Sequence, residues 1–442
     1  MSEHAELLAR HRDVLPSWLA LYYDEPIELA DGHGRHVIDG EGNEYLDFFA
    51  GILTTMTGYG VPEVVEAIQE QAAKMIHSST LYLIRPMIEL AEQIASLSGI
   101  PDAKVFFTTS GTEANEAALL LTSSYRHSNQ VLALRNSYHG RSFATMGITG
   151  NRGWSSSSLT PFNVHYVHNG DRFRSPFRHL SDADFIKAVA DDLRDVITTT
   201  TAGDVACMIA EPIQGVGGFT IPPAGMFGAL QEVLREYGIF YISDEVQTGW
   251  GRTGEHFWGY QAHGVQPDLL TFAKGIGNGL SLAGVVARGD LMDSLPGNHI
   301  STFGGTPLVA AGGLANLRYL LDHDLQANAA TQGQRLLDGL LPLVDKFDVV
   351  GDVRGKGLML GIELIKPGVT DARWPVGLVP NPPAAARAME LTKATGLLIG
   401  KGGLYGNCLR IAPALSVTVD EVDEALAVLT DVLATVNAEE SA

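Results

Sequence analysis

Short apolar runs alternate with helical patterns and glycine-containing turns through the middle of the chain. The runs are rich in β-branched and aromatic residues, as is typical of strands that are buried on both faces. Strands that alternate with helices in this way predict a mostly parallel α/β sheet. The predicted strands are residues 105–107, 131–134, 205–209, 240–242, 269–272 and 283–287.

The N-terminal part of the chain predicts a small β unit. Residues 1–30 indicate a short helix and an arm that contains prolines. Apolar and polar positions then alternate over residues 36–49 on both sides of the turn sequence DGEG, which indicates a β-hairpin. Pro62 has the fixed backbone angle that suits the first turn of the amphipathic helix that follows.

The C-terminal part of the chain predicts a smaller α+β unit. A segment rich in glycine and alanine after Pro307 indicates a long connecting helix, and residues 349–364 and 397–417 contain predicted strands. Thr418 and Glu421 have the spacing of a capping box ahead of an apolar helical pattern. We therefore expect the chain to end on a helix.

The chain is long enough for two domains of unequal size, because its 442 residues are 45% hydrophobic and can bury a large core. We expect a large domain over residues 61–310, with residues 1–60 and 311–442 forming the N-terminal and C-terminal parts of a small domain. The polar stretch 151–182 interrupts the alternation of strands and helices. Loops of this length usually carry function or are disordered.

Charge and cysteine content exclude several classes of function. The formal net charge of -21 makes nucleic acid and anionic membrane surfaces poor partners. Cys207 and Cys408 are the only cysteines, which excludes a disulfide scaffold and a cysteine-based zinc site and fits a reducing compartment. The N-terminus lacks an apolar core of signal-peptide length, and no run of about 18 uncharged apolar residues occurs. We expect a cytoplasmic protein without a membrane span or a metal centre.

Two residues of opposite charge each follow a predicted strand. Asp244 comes after residues 240–242, and Lys274 comes after residues 269–272 and precedes three closely spaced glycines. Ligands of open α/β sheets bind at the carboxyl ends of the strands. Taken singly, either residue also fits a buried ion pair or a solvated strand end.

A third feature, the sequence SGTEANE, follows the predicted strand 105–107 and opens a helix at Gly111 and Thr112. Free N–H groups and the helix dipole at such an N-terminus suit a phosphate, although the spacing fits neither a Walker loop nor a dinucleotide fingerprint. The sequence alone also fits a plain helix cap. Together with Asp244 and Lys274, it resembles a pyridoxal phosphate site.

Pyridoxal phosphate chemistry requires these residue types. A lysine amine forms a Schiff base with the cofactor aldehyde, and a carboxylate keeps the pyridine nitrogen protonated so that the ring can accept electrons. If the strand continues past Asp244, Val246 points to the same side and could press against one face of the ring. Tyr138 could stack on the other face. As isolated residues, Val246 and Tyr138 also fit ordinary core or surface positions.

Ordered motifs from about Ile38 to the final helix make the resemblance specific. With them the chain resembles the class III aminotransferases of the fold type I pyridoxal phosphate enzymes, and it is most similar to class III alanine:glyoxylate aminotransferases and to ω-transaminases. The resemblance implies a large domain with a mostly parallel mixed sheet between helices, and a smaller α+β domain from both chain ends. The motifs are GEGNEYLDFFAGI, SGTEANE, YHG, AEPIQG, DEVQTGWGRTG, PDLLTFAKGIGNG, STFGGTP, DVRGKGLMLGIEL and LRIAPALSVT.

The resemblance assigns cofactor roles to individual residues. It implies that Lys274 forms the Schiff base and then carries the proton between substrate and cofactor carbons. It implies that Asp244 pairs with the pyridine nitrogen and that Gln247 hydrogen-bonds the ring oxygen. Gly111 and Thr112 would bind the phosphate.

Further roles concern the substrate and the neighbouring subunit. Thr302 matches a threonine that reaches the phosphate of the neighbouring subunit, which implies a homodimer or homotetramer with shared active sites. Arg410 matches an arginine that grips the substrate carboxylate, and Glu211 matches the glutamate that pairs with this arginine when no carboxylate is bound. A structural salt bridge between domains remains the alternative for Arg410 and Glu211.

Some positions depart from the family pattern. A glycine-histidine turn that is frequent in the family is Gly58-Tyr59 here, and the asparagine of its GGNP motif is Thr306. These changes leave the reaction class in place and concern substrate preference and loop shape. Other candidates for shaping the pocket are the stretch 151–182 and Leu53, Thr54, Met56, Tyr82 and Trp250.

The implied activity is transfer of an amino group from an amino acid or amine, of the alanine, β-alanine or ω-amino type, to a keto acid such as pyruvate or glyoxylate. The cycle would be ping-pong. Another reaction of the same fold, such as decarboxylation, epimerisation or aminomutase chemistry, remains the alternative. A regulatory protein would need a basic helix-turn-helix extension, and the segment before Ile38 is too short and too acidic for one.

Overall fold

The computed structural model describes residues 3–441 of the chain, so Met1, Ser2 and Ala442 lie outside the description. Its strands are, in chain order, β1 Leu29–His33, β2 His36–Asp39, β3 Glu44–Asp47, β4 Ala103–Thr108, β5 Gln130–Leu134, β6 Asn163–Val167, β7 Cys207–Ala210, β8 Phe240–Asp244, β9 Leu269–Phe272, β10 Ala283–Arg288, β11 Val350–Lys356, β12 Met359–Thr370, β13 Leu378–Pro380, β14 Leu397–Leu398, β15 Gly400–Gly402 and β16 Cys408–Ile411.

Helices separate most of these strands. The α-helices are α1 Glu3–Val14, α2 Ala50–Leu53, α3 Pro62–Lys74, α4 Arg85–Leu97, α5 Gly111–Arg126, α6 Phe143–Gly147, α7 Asp182–Thr200, α8 Met226–Glu236, α9 Gly289–Met292, α10 Pro307–Asp322, α11 Leu325–Leu340, α12 Leu343–Lys346, α13 Pro382–Ala394 and α14 Val419–Ser441. Short 3₁₀ turns cover Arg152–Trp154, Gly259–His263, Lys274–Gly277 and Pro375–Gly377.

A mixed sheet forms the centre of the molecule. Within residues 3–441 it has seven strands in the order β4-β10-β9-β8-β7-β5-β6. The neighbours from β9 to β6 pair in parallel, whereas β10 is antiparallel to both β4 and β9. The connection from β9 to β10 holds only a 3₁₀ turn and a loop, which is too short for a parallel crossover. The predicted, mostly parallel α/β sheet is confirmed.

The central strands are buried on both faces, as their continuous apolar runs predict. Along β5, Leu132 and Leu134 pack into the cluster that contains the apolar side chains of α7 and α8. Val131 and Ala133 point to the opposite face and pack into the cluster that contains those of α5. This division follows from the two-residue period of a strand.

The polar stretch 151–182 differs from its prediction as a loop that interrupts the sheet. It contains β6, which extends the central sheet as an edge strand beside β5. Asn163 is exposed and His165 is half-buried, so β6 lacks the continuous apolar run by which the inner strands were predicted. The remainder of the stretch is largely irregular, with the 3₁₀ turn at Arg152–Trp154.

Two smaller sheets include strands from the chain ends. The sheet β1-β2-β3-β14 joins N-terminal strands to β14, which pairs in parallel with β3. The other contains β11, β12, β16 and β15 in antiparallel pairs. The predicted hairpin is confirmed as β2 and β3. The domain boundaries at residues 60 and 310 stay a prediction.

The last helix begins as the sequence predicts. The Thr418 N–H donates to Glu421 Oε2 at 2.7 Å, and the Glu421 N–H donates to Thr418 Oγ1 at 3.3 Å, so the capping box is confirmed. No helix within residues 3–441 is both long enough and apolar enough to cross a membrane.

Replacement of Phe185 on α7 tests the packing between α7 and its neighbours. Its ring is fully buried, and the Arg172 guanidinium lies 4.7 Å from the ring centroid. We expect Phe185→Ala to destabilise the fold by ~3–5 kcal/mol, because a cavity remains where the ring was. Urea unfolding followed by circular dichroism measures the loss. Val369→Ala, at a position that is 47% exposed, is the control, and an equal loss in both variants would contradict this packing.

Candidate active site

The carboxyl ends of the central strands open into one cavity of about 330 Å³. Strand β8 ends at Asp244, β9 leads into the turn that begins at Lys274, and α5 begins just after β4. Most residues that the sequence predicts for the site line this cavity. They are Gly111, Thr112, Tyr138, Glu211, Asp244, Val246, Gln247 and Lys274.

The Asp244 carboxylate is buried, and both of its oxygens accept hydrogen bonds. Oδ2 accepts a hydrogen bond from Asn115 Nδ2 at 2.8 Å and lies 2.8 Å from His139 Nδ1. A carboxylate can only accept, so His139 Nδ1 carries the hydrogen in this pair. Oδ1 accepts from the Val246 N–H at 3.1 Å. Thr271 Oγ1 donates to Asn115 Oδ1 at 2.7 Å, which fixes the orientation of the amide.

Sequence reasoning missed the roles of Asn115 and His139. Both residues lie inside motifs that were recognised, SGTEANE and YHG, but the pairing with Asp244 becomes visible only once three separate segments are packed. Val246 also reaches the cavity differently from the prediction. The strand ends at Asp244, so a turn rather than strand alternation places Val246. A Cβ at Gly111 would lie 3.1 Å from Val246 Cγ2, so glycine permits this close approach.

Lys274 occupies a strained turn at the bottom of the cavity. Its φ is +50°, in the left-handed region that a side chain disfavours. Asn316 of α10 stabilises the turn because its Nδ2 donates to the Gly275 and Ile276 carbonyls at 2.8 and 3.0 Å. Thr57 Oγ1 in turn donates to Asn316 Oδ1 at 2.7 Å.

Burial lowers the pKa of the Lys274 ammonium. The neighbouring carboxylates of Asp244 and Glu211 oppose this shift, and the Arg410 guanidinium adds to it. Within residues 3–441 the Lys274 amine has no hydrogen-bond or ion-pair partner. The amine is therefore available to a bound molecule.

The N-terminus of α5 faces the cavity with free backbone donors. Ser110 caps the helix by accepting from the Glu113 N–H at 3.2 Å, and the Ala114 N–H donates to the Ser110 carbonyl. In the described part of the chain, the Gly111 and Thr112 N–H groups have no partner. These groups suit a phosphate.

Tyr138 lies at the cavity wall and is supported by the stretch 151–182. The Trp154 ring lies edge-on to it, with centroids 5.6 Å apart and planes at 74°. The Tyr138 N–H donates to Glu211 Oε1 at 2.9 Å. Burial raises the pKa of the Tyr138 hydroxyl, so the ring stays neutral at physiological pH.

Glu211 and Arg410 are linked through one residue rather than paired directly. Glu211 Oε2 accepts from the Gly215 N–H at 2.8 Å, and Arg410 Nη1 donates to the Gly215 carbonyl at 3.3 Å. No ion pair joins the two side chains within residues 3–441. The direct pairing that the resemblance implies is therefore not present in this conformation. Burial raises the pKa of Glu211 to about 7, and Asp244 adds to this shift while His139 opposes it.

Arg410 lies in β16 and does not line the cavity itself. Its guanidinium packs over the rings of Phe49 and Phe219, at 4.8 and 5.6 Å from their centroids. Its Nε donates to the Lys401 carbonyl at 3.1 Å. Burial lowers the pKa of Arg410, and Tyr22 opposes this shift.

Thr302 is separate from the cavity of its own chain. It is exposed and lines a neighbouring surface depression with Phe303, and this depression shares Thr109 with the cavity. Its predicted reach into a neighbouring subunit stays a prediction. Among the residues considered for pocket shape, only Thr54 lines the cavity, and Tyr82 is exposed.

Leu53, Met56 and Trp250 are core residues instead. Met56 and Trp250 pack behind the lysine turn, where a Cβ at Gly275 would lie 2.6 Å from Met56 Sδ and 3.3 Å from Trp250 Cδ1. They therefore support Lys274 and do not contact the cavity.

Two residues that line the cavity have buried polar atoms without a partner. Gln247 Oε1 and His139 Nε2 are buried and have no hydrogen-bond partner in the described residues. Such atoms cost free energy unless a bound group completes them. The free N–H groups of α5, the amine of Lys274 and the carboxylate of Asp244 match the phosphate, aldehyde and ring nitrogen of pyridoxal phosphate.

Fold and site together define a pyridoxal phosphate enzyme of fold type I. The structure is similar to a solved (S)-enantioselective ω-transaminase from Thermomicrobium roseum, with a TM-score of 0.88 and 32% identity over 98% of both chains. The family model Aminotransferase class-III matches residues 22–433. The chain belongs to the class III aminotransferase family, and its cofactor is pyridoxal 5′-phosphate.

Curated relatives cover nearly the whole chain. Alanine--glyoxylate aminotransferase 2 homolog 2 of Arabidopsis thaliana, a mitochondrial protein, is 40% identical over 94% of this chain and 85% of its own length. An alanine/serine racemase of Pyrococcus horikoshii is 32% identical over 96% of this chain and 89% of its own length. The relatives that this chain matches therefore differ in the reaction that their names give.

Replacement of Asn316 tests whether α10 positions the lysine turn. We expect Asn316→Ala to lower the melting temperature and to weaken cofactor retention, since each buried group left without a partner costs ~1–3 kcal/mol. Asn316→Asp keeps an acceptor for Thr57 but removes both donors, so it should retain less cofactor than the wild type. Arg318→Ala on the exposed side of α10 is the control. Equal cofactor loss from the control would contradict this role.

Proposed function

We propose that the protein transfers an amino group from an amino acid or amine, of the alanine, β-alanine or ω-amino type, to a keto acid such as pyruvate or glyoxylate in a ping-pong cycle. One observation carries the proposal. The buried Asp244 carboxylate, fixed by Asn115 and His139 at 2.8 Å each, lies in the same cavity as Lys274. The curated name of the Arabidopsis thaliana relative supports the choice of keto acid.

Each group of this chain has a defined task in such a cycle. When bound, pyridoxal phosphate supplies a ring that accepts electrons from the substrate carbon. Asp244 would hold a proton at the ring nitrogen, and Asn115 and His139 keep the carboxylate oriented for this task. The α5 N-terminus at Gly111 and Thr112 would bind the phosphate.

Proton transfer falls to the Lys274 amine. An amine can act as a general base only when it is neutral, and burial lowers the pKa of Lys274 toward that state. The amine would remove the proton from the substrate carbon and later deliver one on the same side of the cavity. The turn held by Asn316 keeps the amine at the cavity for both steps.

Substrate carboxylates would bind to arginine. Arg410 is our candidate, because its planar guanidinium can make a bidentate contact once it leaves the Gly215 carbonyl. Arg141, unlike Arg410, lines the cavity in this conformation and offers a second guanidinium. With a pKa raised to about 7, Glu211 can be neutral or charged, which would let the pocket accept partners with and without a carboxylate.

A homodimer or homotetramer with shared active sites is part of the proposal. Exposed large apolar residues are typical of an interaction surface. Four such residues, each between 62% and 93% exposed, are Leu81, Tyr82, Leu83 and Phe303. Thr302 beside Phe303 would then reach the phosphate of the neighbouring subunit. A cytoplasmic location remains part of the same proposal.

A second candidate is another reaction of the same fold, and the racemase relative favours epimerisation among these. Both reactions begin with proton removal by the Lys274 amine. They differ in the fate of the amino group, which stays with the substrate in a racemase and leaves it in an aminotransferase.

Half-reactions of the holoenzyme test the proposed function. L-Alanine alone should bleach the absorbance of the bound cofactor, and pyruvate should restore it. We expect Lys274→Ala to slow bleaching by at least ~10²-fold, because a general base contributes that much. Lys187→Ala, at an exposed position, is the matched control. Appearance of D-alanine without bleaching would establish the racemase instead.

Replacement of Arg410 tests carboxylate binding. We expect Arg410→Ala to raise the KM for pyruvate by ~10- to 100-fold, since hydrogen bonds to a charged group are worth ~1.5–3 kcal/mol. Arg410→Lys should recover only part of this loss, because a lysine makes no bidentate contact. Arg387→Ala removes an exposed arginine and serves as the control. An unchanged KM in Arg410→Ala would assign the arginine a structural role.

A further inference from the structure

Three potential metal ligands share one face of the N-terminal sheet, away from the cavity described above. His33 and His36 are cross-strand partners at the turn between β1 and β2. On β3, Glu44 pairs with Ile38 and Leu46 pairs with His36. Because side chains alternate between faces, these pairings put His33, His36 and Glu44 on the same side of the sheet.

The ligand atoms of the three side chains are close together. One nitrogen from each histidine and one carboxylate oxygen of Glu44 all lie within 4.8 Å of one another. His33 Nε2 lies 3.3 Å from Glu44 Oε1. Two ligands of a tetrahedral zinc ion, each ~2.0–2.2 Å from the metal, are roughly 3.3 Å apart, so this pair already has the required separation.

We propose that His33, His36 and Glu44 bind a divalent transition-metal ion, with zinc as the reference ion. Two imidazoles and a carboxylate form a ligand set that suits zinc, copper(II) or nickel, whereas calcium and magnesium prefer oxygen ligands alone. Three protein ligands leave a position for water. This site has no part in the amino-transfer cycle.

The surroundings of His36 support the site. The Glu421 carboxylate lies 3.9 Å from His36 Nδ1. Arg35 binds the same carboxylate at 2.8 to 3.0 Å, so Glu421 serves to offset the Arg35 charge beside the ligands. The side chains of His33 and Glu44 are 64% and 52% exposed, so they can close by the small distance that coordination requires.

A bound ion would fasten the turn between β1 and β2 to β3. Gly34 in this turn already exchanges two hydrogen bonds with Tyr59, at 2.9 and 2.7 Å. The Tyr59 hydroxyl donates to Asp47 Oδ2 at the end of β3. Metal binding would therefore reinforce the contact between the turn and β3, and would stabilise the native state.

Zinc titration of the untagged holoenzyme by calorimetry tests the proposal. We expect about one zinc ion per chain, with binding weakened by at least ~10-fold in both His33→Ala and Glu44→Gln. Zinc should also raise the melting temperature of the wild type and have a smaller effect on both variants.

His179→Ala is the matched control, since His179 is an exposed histidine outside the cluster. It should bind zinc as the wild type does. Aminotransferase activity should be unchanged in His33→Ala and Glu44→Gln, which shows that the variants are folded. Equal zinc binding by the wild type and His33→Ala, or no binding by the wild type, would overturn the proposal and leave His33 and Glu44 as a surface ion pair.

Discussion

The hydrogen bonds to the Asp244 carboxylate are the constraint on which the site depends. Asn115 comes from α5, His139 from the segment after β5, and Asp244 from the end of β8, so this one carboxylate joins three separate segments. A buried carboxylate is stable only when its oxygens are satisfied. The same hydrogen bonds therefore also set the positions of two other parts of the site. Asn115 lies in the first turns of α5, close to its N-terminus, and His139 directly follows Tyr138.

Support for Lys274 comes from outside the central sheet. The lysine lies in a left-handed turn, and such strain persists only where neighbouring groups fix the backbone. Asn316 binds two carbonyls of this turn, and Asn278 Nδ2 donates to the Gly58 carbonyl at 2.9 Å. Helix α10 and the segment around Gly58 thus hold the lysine, and α10 begins directly after the segment that carries Thr302.

The sequence predicted Asp244 and Lys274, because each follows a predicted apolar strand after one intervening residue. It could not predict the partners of Asp244, since Asn115 and His139 are distant in the chain and meet only through sheet order. It missed β1, where the sequence LADGH has no β-branched residue, and with it the histidine cluster. It also missed strand β6, because this edge strand lacks the continuous apolar run of the inner strands. The link between Glu211 and Arg410 through Gly215 has no sequence signal at all.

The hydrogen bonds at Gly215 connect Glu211 to Arg410 through the backbone. Gly215 gives its N–H to Glu211 and its carbonyl to Arg410, so both side chains hold the backbone of one residue. Any side chain at this position would collide with Gln247, at 2.3 Å from a Cβ, so the backbone is pinned from a third direction. The acid and the guanidinium therefore contact opposite sides of one peptide backbone without contacting each other. If the guanidinium leaves the Gly215 carbonyl to bind a substrate carboxylate, the glycine backbone is the shortest covalent route by which that change would reach Glu211.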